Sequence, residues 1–137
     1  MNKESRLKKV HQKIQNCKKC RLWKTANKSV PGEGPVDSDI MVVGQNPGEK
    51  EDKTGRPFIG RSGTYLDKIF KKFGFDRDKF FITSVLKHKT PNNRRPRQDE
   101  IKACVPYLVK QIEIINPDII VLMGKIAWKT PRIKDIL

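Results

Sequence analysis

Two cysteines near the N-terminus have the spacing of residues that share one chemical centre. Cys17 and Cys20 are separated by two residues, as metal ligands and thiol redox pairs are. The chain has 3 cysteines, so disulfides cannot pair all of them, and in the cytoplasm metal binding or redox chemistry is favoured. A redox pair is disfavoured because its first cysteine normally begins a helix after a strand, whereas Cys17 follows a basic helical segment.

A second set of residues suited to chemistry lies in a glycine-rich segment. The sequence GQNPGEKED begins at Gly44, where the missing side chain lets the backbone approach a ligand. Gln45 and Asn46 carry amides that can position water or read a base edge. In the RPFIGRSG that follows, Phe58 offers a ring on which a base can stack. Each feature alone is more typical of a structural loop with Phe58 in the core.

The charge of the chain indicates a polyanionic ligand. There are 30 Lys and Arg residues against 15 Asp and Glu, which gives a formal net charge of +15. Such an excess is the footprint of nucleic-acid binding, although it also suits solubility or a thermophile's charge usage. Basic residues are concentrated in residues 1–28 and in a second group that contains Lys87, Lys89, Arg94, Arg95 and Arg97.

The apolar pattern predicts the elements that must position these residues. Short apolar runs predict buried parallel strands, and apolar residues at three- and four-residue spacing predict helices. The predicted strands are residues 39–43, 80–86 and 118–123. The predicted helices are residues 3–16, a helix that ends at Gly74, residues 99–115 and a helix that starts at Lys125.

The same pattern predicts which helix faces are buried. The segment between the first strand and Gly63 is predicted to be a long loop, and Asp99 or Gln98 is predicted to cap the third helix. The predicted inner faces are Leu7, Val10 and Ile14 in the first helix; Leu66, Ile69, Phe70 and Phe73 in the second; and Ile101, Cys104, Leu108, Ile112 and Ile115 in the third.

This alternation predicts an α/β fold, a three-layer α/β/α sandwich with a short central parallel sheet. We expect one domain over residues 1–137, with the basic helix and the cysteines in residues 1–35. Ligands of such sheets bind beyond the carboxyl ends of the strands, where the loops after Val43 and Leu86 emerge. We see no secretory signal or membrane span, and we expect a cytoplasmic, nucleoid-associated monomer. Arg61 and Ser62 precede a helix, where free N–H groups favour a phosphate.

The motifs resemble those of the uracil-DNA glycosylases. A strand ending in G-[EQ]-x-P-G-x-x-E-D and followed by G-x-P-F-[VI]-G-x-[AS]-G is similar to the signature of that superfamily, most of all to its iron–sulfur branch, family 4. The resemblance implies the α/β/α fold of the family, here without its last strand. It covers the chain from Cys17 to Ala127 and includes VPGEG (30–34), VLKH (85–88), ACVPYL (103–108) and PDIIVLMG (117–124).

The resemblance also implies a metal centre. Family members hold a [4Fe–4S] cluster on four cysteines, and the corresponding residues here are Cys17, Cys20, His88 and Cys104. Imidazole can replace thiolate on iron, and the same set suits zinc. Ligand softness together with the resemblance favours [4Fe–4S]. The alternative is that Cys104 is a core residue and His88 contacts phosphate.

The activity that the resemblance implies is hydrolysis of the N-glycosidic bond of a flipped deoxyuridine, the first step of base-excision repair. Asn46 would position the water, and the backbone near Gln45 would bind uracil O2. The base would be held by Gly44, Phe58 and Ser84, and the DNA by Arg61, Ser62, Lys87, Lys89, Arg94 and Arg95.

Three departures from the family pattern predict weak or absent uracil release. Gln45 replaces a glutamate, and Ser84 replaces the asparagine that reads the uracil edge. The His-Pro pair of the second catalytic motif has no counterpart in the sequence. The alternatives are a non-catalytic, metal-containing module that binds DNA or uracil, and a zinc accessory domain that never flips a base.

Overall fold

The computed structural model describes residues 1–124 and residue 127. The first helix, α1, runs from Lys3 to Gln15, one residue shorter than predicted. Asn2 begins it, because its side chain accepts a hydrogen bond from the Ser5 N–H at 2.9 Å. The helix predicted from Lys125 lies outside the described residues except for Ala127.

Three short parallel strands form the sheet. They are β1 (Ile40–Gly44), β2 (Phe81–Ser84) and β3 (Ile119–Leu122), and their order is β2-β1-β3. Met41 of β1 lies opposite Phe81 in β2 and Ile120 in β3. The central strand is buried on both faces, as its continuous apolar run predicts. The predicted α/β fold with a parallel sheet is confirmed.

Three further helices are described, and one of them was not predicted. They are α2 (Glu49–Thr54), α3 (Arg61–Lys72) and α4 (Gln98–Ile115). The prediction of an uninterrupted loop between β1 and α3 is therefore wrong. The α2 segment has no apolar periodicity, and it forms a helix because acidic residues occupy its first turn. It ends at Gly55, which has a φ of +77°.

The two faces of the sheet carry separate apolar clusters. Met41, Val43 and Phe81 pack with α1 and α4, whereas Val42 and Ile82 pack with Leu66 of α3. This alternation places helices on both faces of the sheet, as the three-layer prediction requires. The predicted inner face of α4 is buried throughout.

Two details of the helices differ from the predictions. Phe73 is 65% exposed, because α3 ends at Lys72 and the chain turns at Gly74, whose φ is +75°. The cap of α4 is Arg97, whose N–H donates to the Glu100 carboxylate at 2.9 Å. No helix among residues 1–124 is long and apolar enough to cross a membrane.

Candidate functional site

A cavity of about 610 Å³ lies at the carboxyl edge of the sheet. Its walls come from four parts of the chain: the loop after β1, the segment before α3, the end of β2, and the residues after β3. This is the place where parallel α/β sheets bind ligands. The lining includes Gly44, Gln45, Asn46, Glu51, Phe58, Arg61, Ser62, Ser84 and Asn93.

Phe58 forms one wall of the cavity. Its ring rests on Gly44 so closely that a Cβ at that glycine would lie 2.5 Å from the ring Cζ. Phe58 is half-buried and packs on the α3 side of the sheet. Its φ is 49°, which is uncommon for a non-glycine residue and concentrates at functional sites. The ring therefore faces the cavity with one side, and the alternative of a wholly buried Phe58 is excluded.

Arg77 fixes the backbone of Phe58 from one side. Its guanidinium donates hydrogen bonds to the Pro57 carbonyl, at 2.5 Å, and to the Phe58 carbonyl. The same guanidinium forms a salt bridge with the Asp67 carboxylate, with 3.4 Å between nitrogen and oxygen. The sequence shows no signal for this role, because Arg77 lies about twenty residues away in a polar turn.

Glu51 fixes the neighbouring residues from the other side. Its buried carboxylate accepts from the N–H groups of Ile59 at 2.9 Å and Gly60 at 2.6 Å. The other oxygen accepts from the Gly48 N–H at 2.9 Å. Glu51 thus ties the loop after β1 to the segment that carries Phe58, and the motif E-D is the only sequence signal that indicates it.

The two predicted amides lie side by side in the cavity. The Gln45 Nε2 donates to the Asn46 Oδ1 at 3.0 Å, and the Asn46 Nδ2 donates to the Pro47 carbonyl at 3.1 Å. Both side chains are half-buried. An amide that keeps one donor or acceptor open can hold a water or a base edge.

Ser84 lies in the cavity wall, as predicted, but its hydroxyl is already occupied. The hydroxyl donates to the Leu86 carbonyl at 2.5 Å. The residue is buried, and its remaining capacity is that of an acceptor.

Three thiols lie near one another beside α4. Cys20 and Cys104 are neighbours, and the interaction of their thiols lowers the pKa of Cys20 to about 6, with the Leu22 N–H acting in the same direction. The same interaction together with burial raises the pKa of Cys104. Burial, and after it the neighbouring Cys17 thiol, raises the pKa of the Tyr107 hydroxyl. Cys20 and Cys104 are therefore neighbours, and Cys17 lies beside Tyr107 of the same helix.

The fourth predicted metal ligand, His88, lies near a carboxylate. His88 is buried, which lowers its pKa, and the charged group that opposes this shift is Asp52. Within residues 1–124 and 127, no three His, Cys, Asp or Glu side chains form a set arranged around a metal. The three thiols fit iron or zinc by donor chemistry.

Comparison with known proteins identifies the family. A family model described as the uracil DNA glycosylase superfamily matches residues 31–134. The chain belongs to this superfamily. Type-4 uracil-DNA glycosylases of Sulfurisphaera tokodaii, Pyrobaculum aerophilum and Thermotoga maritima are 50%, 45% and 45% identical to it over 90%, 90% and 86% of its length. The aligned regions are 56%, 63% and 62% of those proteins, so the chain spans less than two thirds of their length.

Lys87, which was predicted to contact DNA, is buried inside the protein. Lys87 is fully buried, and its ammonium donates to the Thr83 hydroxyl and the Ser84 carbonyl at 2.6 Å and to Gln111 Oε1 at 2.8 Å. Burial lowers its pKa to about 7. The prediction that Lys87 contacts DNA is therefore wrong, because the side chain leaves the end of β2 toward α4.

Arg94 is also held by the protein. Glu100 is fully buried, and its carboxylate accepts from Arg94 at 2.9 and 2.6 Å, from Arg21 at 3.1 Å and from the Arg97 N–H at 2.9 Å. The Arg94 hydrogen bond, followed by that of the Arg97 N–H, lowers the pKa of Glu100 to about 2. Both nitrogens at the end of Arg94 are thereby engaged, and Arg94 joins the second basic loop to α4.

The remaining side chains predicted to contact DNA differ in solvent exposure and in their hydrogen bonds within the protein. Arg61, Ser62 and Arg95 are exposed, and the first two line the cavity mouth. Lys89 is half-buried, and its ammonium donates to the Thr90 carbonyl at 3.1 Å.

Proposed function

We propose that this chain binds a uracil flipped out of DNA in the cavity at the carboxyl edge of the sheet, and that it acts in base-excision repair. The observation that carries the proposal is the Phe58 ring resting on Gly44, with the Gln45 and Asn46 amides in the same cavity. A planar pyrimidine stacks on such a ring. The glycine leaves space for the ring, and the amides supply polar contacts at its edge.

The reaction would be hydrolysis of the bond between uracil N1 and the deoxyribose C1′. As this bond breaks, its electron pair leaves with the uracil and positive charge develops on the sugar. Asn46 would direct a water at C1′, and as the new C–O bond forms the water would lose its proton to solvent, from which the departing uracil anion takes up a proton. Backbone N–H groups near Gln45 would stabilise the negative charge on uracil O2.

Uracil release from single-stranded DNA tests the activity. We expect slow release, because Gln45 is uncharged where the family has glutamate. Tight binding of a uracil-containing strand without cleavage would favour the non-catalytic module. Rapid turnover would contradict the expectation of a weak enzyme, and equal affinity for uracil- and thymine-containing strands would contradict the proposal itself.

We further propose that Cys17, Cys20 and Cys104 hold a metal centre, with His88 as the fourth ligand and [4Fe–4S] as the group, or zinc in its place. The support is the proximity of the three thiols and their softness as ligands. Such a centre would join the N-terminal basic segment to α4. Metal analysis of protein purified without oxygen decides between about four irons per chain, one zinc, and none.

We infer a monomer located at the nucleoid. The excess of positive charge supports this location, since it favours DNA over other partners. Size-exclusion chromatography at two protein concentrations tests the oligomeric state, and a concentration-dependent shift would contradict a monomer.

A further inference from the structure

A segment before β1, residues 30–34, lies along the outer edge of β2 and reaches the cavity. We call it the edge segment, since β2 is an outer strand of the described sheet. Glu33 forms an antiparallel bridge with Ile82 of β2, through hydrogen bonds of 3.0 and 2.8 Å. At the other end, the Val30 N–H donates to the Lys87 carbonyl at 2.7 Å. Val30 is buried and lines the cavity, so the position of the edge segment sets the position of one cavity wall.

The Pro31 carbonyl of the edge segment accepts hydrogen bonds from two buried side chains. One donor is Gln111 Nε2 of α4 at 2.7 Å, and the other is the Thr83 hydroxyl of β2 at 2.8 Å. Both side chains are fully buried. Gly32 follows Pro31 with a φ of +116°, and a Cβ there would lie 2.8 Å from the Thr83 side chain. The edge segment therefore lies directly on the side chain that binds its carbonyl.

Lys87 determines the direction in which these two donors point. An ammonium group only donates, and that of Lys87 donates to Thr83 Oγ1 at 2.6 Å and to Gln111 Oε1 at 2.8 Å. Because Gln111 Oε1 accepts, the NH₂ group of Gln111 faces Pro31 and also His11, at 3.1 Å. The Thr83 hydrogen points to the Pro31 carbonyl, which is closer to the hydroxyl than Gln111 Oε1 is, at 3.5 Å.

Such a network fixes geometry more than it adds stability. Burial of charged and polar groups costs free energy, and the hydrogen bonds made inside the protein do little more than offset that cost. Fully bonded buried networks instead fix one arrangement of the elements that contribute to them. Here those elements are β2, α4 and the edge segment, and the arrangement includes Val30 in the cavity wall.

We propose that Gln111 and Lys87 position a wall of the uracil cavity through the edge segment, although both side chains are fully buried. The proposal rests on the function proposed above, since it concerns the affinity of the same site. Lys87 holds the edge segment at two points: its carbonyl accepts from Val30, and its ammonium orients the two donors to Pro31. Gln111 connects the same carbonyl to α4.

The variant Gln111→Glu tests this role, with Ile112→Val as its matched control. A carboxylate keeps the acceptor for the Lys87 ammonium, but it places an oxygen where the Pro31 carbonyl had a donor. Ile112→Val removes one buried methyl group from the core of the same helix. The measurement is the affinity for a strand containing a non-hydrolysable 2′-fluoro-deoxyuridine, divided by the affinity for the matched thymidine strand.

We expect Gln111→Glu to lower this ratio about three- to tenfold, the factor that corresponds to one hydrogen bond. We expect Ile112→Val to leave the ratio unchanged, because it changes only the packing of the core. Circular dichroism confirms that each variant is folded. An unchanged ratio in folded Gln111→Glu, or an equal fall in Ile112→Val, would overturn the proposal.

The pair Thr83→Val and Thr83→Ser tests the same carbonyl contact from β2, and it decides the question if Gln111→Glu does not fold. Valine matches threonine in shape but has no hydroxyl, whereas serine keeps the donor to Pro31 and the acceptor for Lys87. We expect the uracil preference to fall about three- to tenfold in Thr83→Val and to recover in Thr83→Ser. The same preference in both variants would contradict the positioning role.

A double-mutant cycle tests whether the effect of Gln111 passes through Val30. Val30→Ala removes part of the wall itself. If Gln111 acts by holding that wall, adding Gln111→Glu to Val30→Ala lowers the uracil preference little further. Fold-changes that multiply in full in the double variant would overturn the path through the edge segment.

The two proposals fail in distinguishable ways. A wild-type chain without uracil preference overturns the function and this inference together. A wild-type chain that prefers uracil, with the preference intact in Gln111→Glu and in Thr83→Val, overturns only the positioning role.

Discussion

Gly44 has no Cβ atom, and the Phe58 ring occupies the space that a Cβ would need. A Cβ there would lie 2.5 Å from Cζ and 2.7 Å from Cε2 of the ring, far inside van der Waals contact. Because the ring is a wall of the cavity, its position depends on the absence of a side chain on β1. Gly44, a residue of β1, therefore determines where one wall of the cavity lies, although most of the cavity is lined by loops.

We expect Gly44→Ala to displace the ring and weaken uracil binding by at least tenfold. The substitution forces Phe58 away from the position in which its face meets a base, while the strand itself remains compatible with alanine. Anisotropy titrations with the uracil strand measure the loss. Serine at the same position is a second test, and wild-type affinity in both variants would contradict the contact described here.

Arg77 allows a test of how the Phe58 backbone is held. Arg77→Ala removes the two donors at the Pro57 and Phe58 carbonyls, and we expect the free energy of unfolding to fall by about 1–3 kcal/mol. Arg77→Lys keeps the charge but loses the planar fork, so we expect most of the same loss. Urea unfolding measures both, and a lysine variant as stable as the wild type would show that charge alone is sufficient.

At the residue scale, the sequence predicted those cavity residues that lie close together along the chain. Gln45, Asn46 and Phe58 are within fifteen positions of one another, so a local motif indicates them. Arg77 comes from a distant turn. Its role depends on the backbone conformation there, which leaves no pattern in side-chain types.

At the element scale, the docking of α1 on α4 includes a titratable contact. His11 of α1 lies 3.1 Å from Gln111 Nε2 of α4, and burial, with a smaller effect of Lys87, lowers the pKa of His11 to about 4. Neutral His11 accepts the Gln111 hydrogen bond. The unfolded chain binds the proton more readily, so this contact stabilises the fold above about pH 6.5 and is lost as pH falls toward 4.

We therefore expect the free energy of unfolding to fall between pH 6.5 and pH 4 by more in the wild type than in His11→Gln. Glutamine is long enough to keep an acceptor near Gln111 and does not titrate. Denaturant unfolding at pH 7, 5.5 and 4.5 measures the difference. Parallel pH profiles for the two proteins would show that His11 does not control the docking.

The strands and long helices were predictable because their buried residues form a regular apolar pattern in the sequence. The apolar runs placed β1, β2 and β3 within two residues of their observed bounds, and the predicted inner face of α4 is buried in full. The six residues of α2 have no such repeat and were predicted as loop. Besides the acidic first turn, contacts of Glu51 and Asp52 with distant backbone groups hold this helix in place, and a local pattern does not show those contacts.

At the scale of the whole molecule, net charge predicts salt-dependent DNA binding but does not identify the residues responsible. Lys87 and Arg94 were assigned to DNA by their charge, yet one is buried and the other is paired with Glu100. Arg95 is exposed in the same loop. The direction in which a side chain leaves the backbone decides its role, and composition does not contain that direction.

Arg95→Gln provides the corresponding test. We expect the slope of log K against log salt for single-stranded DNA to decrease by about 0.7, with no change in uracil preference. Lys110→Gln is the control, because Lys110 is exposed on α4 and pairs with Glu113 at 3.6 Å. An unchanged slope for Arg95→Gln would exclude a phosphate contact at that residue.

The enclosure of Lys87 makes it an internal reporter of unfolding. Reagents that acylate amines react with the unprotonated form and need direct access, and the Lys87 nitrogen is enclosed by Thr83, Ser84 and Gln111. In native protein we expect this lysine to be spared while exposed lysines are labelled, and we expect the peptide that contains it to gain its label only when β2 separates from α4. The rate of that labelling, read by mass spectrometry, measures how often the protein opens at its centre.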